Sequence, residues 1–231
     1  MGVKKRKKMH QKRILLTLSD PRAVISEQFR TIRTNIKFSA IDQTIKSIVI
    51  TSSEAEEGKS TVAANLAVVF AQEGKKTLLI DADLRKPTVQ YTFNLMNTTG
   101  LTSVLSHQVS FGQAVHKTHL SELDVLTSGP IPPNPSELLS SRAMENLMKE
   151  VKEEYDMVIF DSPPVIIVTD AQLLANQCDG SILVVRSNHT DKEKVMKAKE
   201  LLNSANTRIL GAVLNDKKVI NNNYYQYYGE K

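Results

Sequence analysis

The chain has 231 residues, of which 41% are hydrophobic and 24% are charged, and this composition indicates a globular protein with a sizeable core. The single cysteine, Cys178, excludes an internal disulfide and a cysteine-based metal site. No apolar run approaches the roughly 18–20 residues that span a bilayer, so we expect a cytoplasmic protein.

The first element is a basic segment, and we expect residues 1–21 to form a tail. Residues 1–13 carry seven basic and no acidic side chains, which leaves 23 basic and 25 acidic residues, a net charge of −2, for the remainder. A basic tail on a mildly acidic body argues against a nucleic-acid partner. The tail is either solvated or weakly attracted to anionic lipid, where each basic side chain contributes about 1 kcal/mol.

A helix is predicted to follow this tail. Ile25, Phe29, Ile32 and Ile36 recur at the spacing of one apolar stripe, which predicts an amphipathic helix over residues 22–40. Because its other side is charged, we expect the helix to lie on the outside of the domain that follows.

From residue 47 onward, short β-branched runs alternate with longer helical stretches. The predicted strands are Ser47–Thr51, Thr77–Ile80, Leu123–Thr127, Met157–Phe160, Ser181–Val185 and Ile209–Leu214. The predicted helices are 59–73, 136–154, 168–177 and 191–205. Several strands are apolar almost throughout, as expected when both faces of a parallel sheet are buried. The alternation predicts one α/β domain over residues 22–220, built on a doubly wound, mostly parallel sheet.

The strongest chemical signal is Gly58-Lys59-Ser60, which follows the first predicted strand and begins a helix. In this setting backbone N–H groups cradle phosphate oxygens, the lysine reaches the β- and γ-phosphates, and the serine hydroxyl meets Mg²⁺. The alternative is an N-capped helix with an exposed lysine, because Ser53 stands where such loops usually have a glycine. The candidate nucleotide-binding residues are Ser53, Glu57, Gly58, Lys59, Ser60 and Thr61.

Carboxylates follow two further predicted strands. Asp81 and Asp83 come just after the second strand, and Asp161 comes after a later one. Because ligands of open α/β sheets bind beyond the carboxyl ends of the strands, we expect these acids to share a crevice with the phosphate loop. They would repel one another and a nucleotide unless a cation lay among them, which favours Mg²⁺. The alternative is three ordinary aspartates at strand ends.

These acids are parts of longer motifs. Asp-x-Asp-x-Arg at 81–85 and Asp-Ser-Pro-Pro at 161–164 resemble the Walker A′ and Walker B motifs of bacterial protein-tyrosine kinases (BY-kinases), as does the run at 128–138. The similarity extends over residues 26–229. It implies a P-loop NTPase fold of the deviant-Walker, MinD-like type and an ATP-dependent tyrosine kinase that accompanies capsule or exopolysaccharide synthesis. It also implies a cognate phosphatase and a transmembrane activator that recruits the chain to the inner face of the membrane.

The resemblance implies a role for each residue of the crevice. Lys59 and the loop amides would hold the β- and γ-phosphates, and Ser60, Asp83 and Asp161 would hold Mg²⁺. Asp81 would accept the phenolic proton, although Asp83 could take this role instead.

Two more residues receive roles, Arg85 from its place beside the acids and Asn215 from the resemblance. Arg85 would steady the charge that develops during transfer or would pair with an aspartate. Asn215, which follows the last predicted strand, would touch the adenine.

The predicted phosphate loop departs from the family pattern at two places. Related kinases carry Pro-Gly where this chain has Ala55-Glu56, and Glu56 brings a side chain and a negative charge where glycine permits close approach to phosphate. We therefore expect weakened nucleotide binding. Glu54 stands where MinD- and ParA-type ATPases carry a lysine, which argues against that type of switch.

The C-terminal segment, residues 221–231, is rich in tyrosine. Four of the chain's six tyrosines lie there, namely Tyr224, Tyr225, Tyr227 and Tyr228. The resemblance implies that this cluster is autophosphorylated, chiefly by a neighbouring subunit. The alternative is an aromatic tail that docks on the domain.

The predicted N-terminal helix carries Glu27-x-x-Arg30-x-x-Arg33, which resembles an oligomerisation motif of the same family. Residues three apart lie on one broad side of a helix, so all three side chains could reach a neighbouring subunit. The implied assembly is a closed, octameric ring. The alternative is a solvated helix face.

Two other functions remain open for a phosphate loop with these acids. One is an ATP-driven assembly switch or scaffold of the MinD/ParA type, and the other is a small-molecule-modifying enzyme such as a carboxylase-like synthetase. Neither needs a tyrosine-rich tail, so the tail favours the kinase.

Overall fold

A computed structural model describes residues 15–39 and 44–217 of the chain. Most of the predicted basic tail lies outside these ranges, and so does the predicted phosphorylation cluster of Tyr224, Tyr225, Tyr227 and Tyr228. The predictions made for those residues stay predictions.

A seven-stranded sheet forms the centre of the described chain. Its strands are β1 Ser47–Ser52, β2 Thr77–Asp81, β3 His116–Lys117, β4 Leu123–Leu126, β5 Met157–Asp161, β6 Gly180–Arg186 and β7 Ile209–Asn215. Their order across the sheet is β3-β4-β2-β5-β1-β6-β7. All neighbours are parallel except β3 and β4, which are antiparallel. The doubly wound, mostly parallel sheet predicted from the sequence is confirmed, with β3 as an added antiparallel edge.

Ten helices occur in the described ranges. They are α1 Leu16–Ser19, α2 Val24–Phe38, α3 Lys59–Gln72, α4 Val89–Phe93, α5 Leu101–Leu105, α6 Phe111–Ala114, α7 Pro135–Leu139, α8 Arg142–Glu154, α9 Asp170–Gln177 and α10 Lys192–Ser204. None of the helices in the described part is long and apolar enough to cross a membrane.

The single helix predicted over residues 136–154 is wrong, because two helices, α7 and α8, occupy this stretch. The break falls at Ser140 and Ser141, and the Ser141 hydroxyl accepts a hydrogen bond from the backbone N–H of Met144. Serine at an N-cap satisfies a backbone donor that a new helix leaves without an intrahelical partner, so this sequence favours a fresh start over a continuous helix.

Two apolar clusters cover the two faces of the sheet. One lies between the sheet and α2 and α3, and the other lies between the sheet and α5 to α10. Successive residues of β1 alternate between them, since Ile48 and Ile50 belong to the first cluster and Val49 to the second. Both faces are therefore apolar, which explains why the strands show no polar alternation in the sequence.

The N-terminal helices α1 and α2 pack on α3. Thr17 of α1 is buried, and both its backbone N–H and its hydroxyl donate to the Asn65 side-chain oxygen at 3.0 Å. On α2, the predicted apolar stripe faces the domain, with Phe29 and Ile36 buried. The described body therefore begins within residues 1–21, which we expected to be a tail.

The three residues of the predicted oligomerisation motif differ in their surroundings. Arg33 Nη1 donates to the backbone oxygen of Val69 at 2.6 Å, and only 15% of the Arg33 side chain is exposed. Glu27 and Arg30 pair with each other at the surface, where 67% of the Glu27 side chain is exposed. Arg33 thus attaches α2 to α3 within one chain, whereas Glu27 and Arg30 lie at the surface.

We expect Arg33→Ala to lower the free energy of unfolding by about 1–2 kcal/mol, because it removes a charged donor from a partly buried carbonyl group. Arg30→Ala is the comparison variant and should cost less than about 0.5 kcal/mol, because the ion pair of Arg30 with Glu27 and its hydrogen bond to the Pro21 carbonyl are both exposed to solvent. Urea denaturation followed by circular dichroism, at a concentration where both variants are monomeric, measures the difference. Equal losses in the two variants would contradict the attachment of α2 through Arg33.

Candidate active site

The candidate site lies at the carboxyl ends of β2, β5 and β1, which are neighbours in the sheet. Asp81 ends β2 and lies directly opposite Asp161, the last residue of β5. The phosphate loop connects β1 to α3, and Lys59 begins that helix. The structure thus brings together the three motifs that the sequence places far apart.

Two residues of the phosphate loop have a left-handed backbone conformation. Gly58 has a φ of 94°, which would strain any residue with a Cβ, and a Cβ added to it would lie 2.0 Å from Nδ2 of Asn215, so that side chain would have to move. Glu56 has a φ of 65°, which costs a residue with a Cβ about 1 kcal/mol or more. Glu56 therefore has a backbone conformation that glycine adopts easily but that is strained for glutamate.

The Lys59 ammonium group is surrounded by carboxylates. Its Nζ lies 3.1 Å from Oδ2 of Asp83, in an ion pair with little exposure to solvent. Burial opposes the charged form, but attraction to Asp161, Asp83 and Asp81 outweighs burial, and the pKa of Lys59 is raised. The lysine therefore carries its positive charge at the point where phosphate charge would enter.

Asp81 is fully buried and holds backbone groups. Its Oδ2 accepts hydrogen bonds at 2.9 Å from the N–H groups of Thr88 and Val89, where α4 begins. Burial and the nearby charge of Asp161 raise the pKa of Asp81 to about 8, against the lowering effect of the two amide donors. Asp81 therefore binds a proton more tightly than an ordinary aspartate does.

The predicted magnesium ligands supply hard oxygen donors, which suit this ion. Across residues 15–39 and 44–217, no three His, Cys, Asp or Glu side chains are arranged to hold a metal by themselves. Mg²⁺ is usually held by one or two carboxylates together with substrate phosphates and water. The carboxylates of Asp83 and Asp161 and the hydroxyl of Ser60 therefore fit an ion that a bound nucleotide completes. Within the described chain, the buried hydroxyl of Ser53 has no hydrogen-bond partner and is a further polar group at this loop.

Arg85 is held by a residue that the sequence analysis did not identify. Its Nε and Nη2 bind the two carboxylate oxygens of Asp170 at 2.9 and 3.0 Å, and Asp170 is fully buried at the start of α9. The hydroxyl of Ser136 in α7 donates to Asp170 at 2.7 Å and accepts from Arg85 at 3.1 Å. Of the two roles considered for Arg85, the structure has the pairing with an aspartate.

Two predicted nucleotide-binding residues contact the loop itself. The Glu57 carboxylate is buried and accepts from the backbone N–H of Glu54 at 3.1 Å and from the hydroxyl of Thr190. The side-chain amide of Asn215 donates to the backbone oxygen of Glu57 at 2.9 Å. Both side chains therefore stabilise the conformation of the loop. The adenine contact of Asn215 stays a prediction.

Comparison with known proteins identifies close relatives of the chain. A family described as "AAA domain" matches residues 45–197. Tyrosine-protein kinase YwqD of Bacillus subtilis (strain 168) is 54% identical over 231 residues, covering 100% of this chain and 98% of the relative. Putative tyrosine-protein kinase CapB of Staphylococcus aureus is 44% identical over 211 residues, covering 91% of this chain and 92% of the relative. The crystal structure of the chimerical protein CapA2B2 superposes with a TM-score of 0.86 and 49% identity, covering 88% of this chain and 89% of that one.

We expect Glu56→Gly to tighten ATP binding. A strained loop spends part of its time in other conformations, and glycine raises the fraction that is competent to bind, while loss of the carboxylate removes repulsion from phosphate. Each kcal/mol recovered corresponds to about fivefold in affinity. Glu56→Ala is the matched control, because it removes the charge and keeps the Cβ. Calorimetry should rank the affinities as glycine, then alanine, then wild type, and affinities equal to wild type in both variants would contradict the expectation.

The raised pKa of Asp81 makes stability depend on pH in a defined direction. Folded Asp81 keeps a proton at pH values where the unfolded chain has released it. The stability that this proton contributes is complete below pH ~4 and is lost as the pH rises through the folded pKa of about 8. In the absence of nucleotide and Mg²⁺, the unfolding free energy of wild type should therefore fall relative to that of Asp81→Asn from pH ~5 to ~8 and then level off. Urea titrations across this range measure it, and parallel curves for the two proteins would contradict a raised pKa.

Proposed function

Because the chain belongs to the bacterial protein-tyrosine kinase family, we propose that it transfers the γ-phosphoryl group of ATP to tyrosine side chains of proteins. One observation carries the proposal: Lys59 lies among Asp81, Asp83 and Asp161 at the ends of adjacent parallel strands. Phosphoryl transfer needs positioning and charge neutralisation more than covalent chemistry. The Lys59 ammonium group would position the phosphates, and the carboxylates would bind a neutralising cation. The neutralising ion would be Mg²⁺, held by Ser60, Asp83 and Asp161.

Lys59 and the loop backbone would hold the phosphates. The ammonium group that now pairs with Asp83 would turn to the β- and γ-phosphate oxygens, because these carry more negative charge than one carboxylate. The N–H groups at the start of α3 would bind the same oxygens, since a helix N-terminus favours anions. Asp83 would then be released from its ion pair with Lys59 and would be free to hold Mg²⁺.

Asp81 would accept the phenolic proton of the acceptor tyrosine. A pKa near 8 suits a group that must take up a proton near neutral pH. Asp81 is fully buried and holds the start of α4, so the acceptor must approach an enclosed carboxylate. Asp83 is the alternative base, since it lies two residues further along the same loop.

The acceptor would chiefly be the C-terminal tyrosine cluster of a neighbouring subunit in a ring. Glu27 and Arg30 are the motif residues at the surface that could contact a neighbour, because Arg33 contacts α3 of its own chain. The family resemblance further suggests a transmembrane activator, a cognate phosphatase, a place at the inner face of the membrane and control of capsule or exopolysaccharide synthesis.

A complementation experiment tests kinase activity and transfer between subunits together. Lys59→Met keeps the tyrosine tail but loses the charge that holds the phosphates, and a second variant replaces Tyr224, Tyr225, Tyr227 and Tyr228 by phenylalanine. With Mg-ATP and a candidate activator segment, neither variant alone should gain phosphotyrosine on its tail. Their mixture should label the tail of the Lys59→Met chain, as read by mass spectrometry.

Two outcomes would revise this proposal in different ways. Labelling of wild type without labelling of the mixture would place transfer within one chain. ATP hydrolysis by wild type without any phosphotyrosine, with or without the activator segment, would remove the kinase assignment and favour an ATP-driven assembly switch.

A further inference from the structure

The phosphate loop is held from outside by groups at the ends of β6 and β7. Thr190, in the connection from β6 to α10, contacts the carboxylate of Glu57. Asn215, which ends β7, donates to the backbone oxygen of the same glutamate at 2.9 Å. On the surface, Lys194 of α10 pairs with Glu54 at 2.9 Å. We call Glu57, Thr190 and Asn215 the loop latch.

The contacts of the latch define the direction of its central hydrogen bond. Thr190 Oγ1 accepts from the backbone N–H of Arg186 at 3.1 Å, so its own proton is directed to the Glu57 carboxylate. The second oxygen of that carboxylate accepts from the N–H of Glu54 at 3.1 Å. Only 1% of Glu57 is exposed, and a buried carboxylate is costly to leave without donors. Thr190 is therefore one of the donors that make a buried acid possible inside a phosphate loop.

The loop needs such support because its backbone is strained. Glu56 and Gly58, the two neighbours of Glu57, have φ values of 65° and 94°. Conformations of this kind persist when the surrounding structure holds them in place. Glu56 is strained at its positive φ, whereas Gly58 adopts one freely, and both residues adjoin Glu57. The latch is therefore placed to hold the loop backbone at these two left-handed positions.

We propose that Thr190 is a positioning residue for the phosphates of ATP, and that it acts through Glu57 on the conformation of the phosphate loop. The inference rests on the proposed function, in that ATP is the ligand. In this arrangement the side chain of Glu57 is buried and engaged by two donors, the N–H of Glu54 and the hydroxyl of Thr190. Its contribution to nucleotide binding is then to hold the loop backbone.

The test compares two substitutions of Thr190 in the full chain. Thr190→Val keeps the shape and removes the hydroxyl, and it should weaken Mg-ATP binding about tenfold, as expected for loss of one hydrogen bond to a charged group. Thr190→Ser keeps the hydroxyl and should restore most of the affinity. Thr118→Val is the control for replacing a threonine by valine. Thr118 lies beside β4 near the opposite edge of the sheet, and its hydroxyl donates to backbone oxygens there and accepts from the backbone N–H of Leu120.

Three further measurements separate positioning from a general loss of structure. The KM for ATP should rise in Thr190→Val while the KM for a tyrosine peptide and the far-UV circular dichroism spectrum stay the same. In a Glu57→Ala background, Thr190→Val should have no further effect, because the two residues act as one unit. Wild-type affinity in Thr190→Val, failure of serine to restore it, or additive effects in the double variant would overturn the proposal. Absence of Mg-ATP binding by wild type would instead overturn the proposed function, and the latch with it.

Discussion

The attraction between one ammonium group and three carboxylates at the ends of adjacent strands is the constraint on which the site depends. Lys59 stays charged in a buried place because Asp161, Asp83 and Asp81 outweigh the cost of burial. Burial and the charge of Asp161 also raise the pKa of Asp81. Charges at low dielectric interact strongly, so the carboxylates of this arrangement attract cations. For the same reason Lys59 can exchange Asp83 for phosphate oxygens when a nucleotide binds.

Strand order determines which of these groups can meet. β5 lies between β1 and β2, so Asp161 is placed between the phosphate loop and the pair of Asp81 and Asp83. Asp81 and Asp161 are cross-strand neighbours, and a shift of one residue in that register would turn one of them toward the other face of the sheet. The two apolar clusters that hold the sheet from both faces therefore also maintain the geometry of the charged groups.

The sheet was predictable from the sequence because several strands are apolar almost throughout and are bounded by turns or helices. The sequence did not predict α4 to α6 or β3, because elements of two to five residues are too short to show a period. The crevice acids and the phosphate loop were predictable, since their motifs are local. Their partners were not: Arg85 binds Asp170 and Glu57 binds Thr190 across 85 and 133 residues, and no spacing rule relates such positions. The motif of Glu27, Arg30 and Arg33 shows a third limit, because helical spacing does not tell which side chain turns toward its own chain.

The hydrogen bonds between Asp81 and the start of α4 affect how inactive variants should be chosen. Because its carboxylate accepts the first amides of that helix, a substitution there alters chemistry and local backbone support at once. Tyr91 and Met96, on and just beyond α4, are exposed, so the surface that a partner would encounter could change together with activity. Lys59 makes no such contact with α4, and its ion pair is with Asp83. An inactive allele made at the lysine therefore reports on phosphoryl transfer more cleanly than one made at the aspartate, particularly where binding to other proteins is scored.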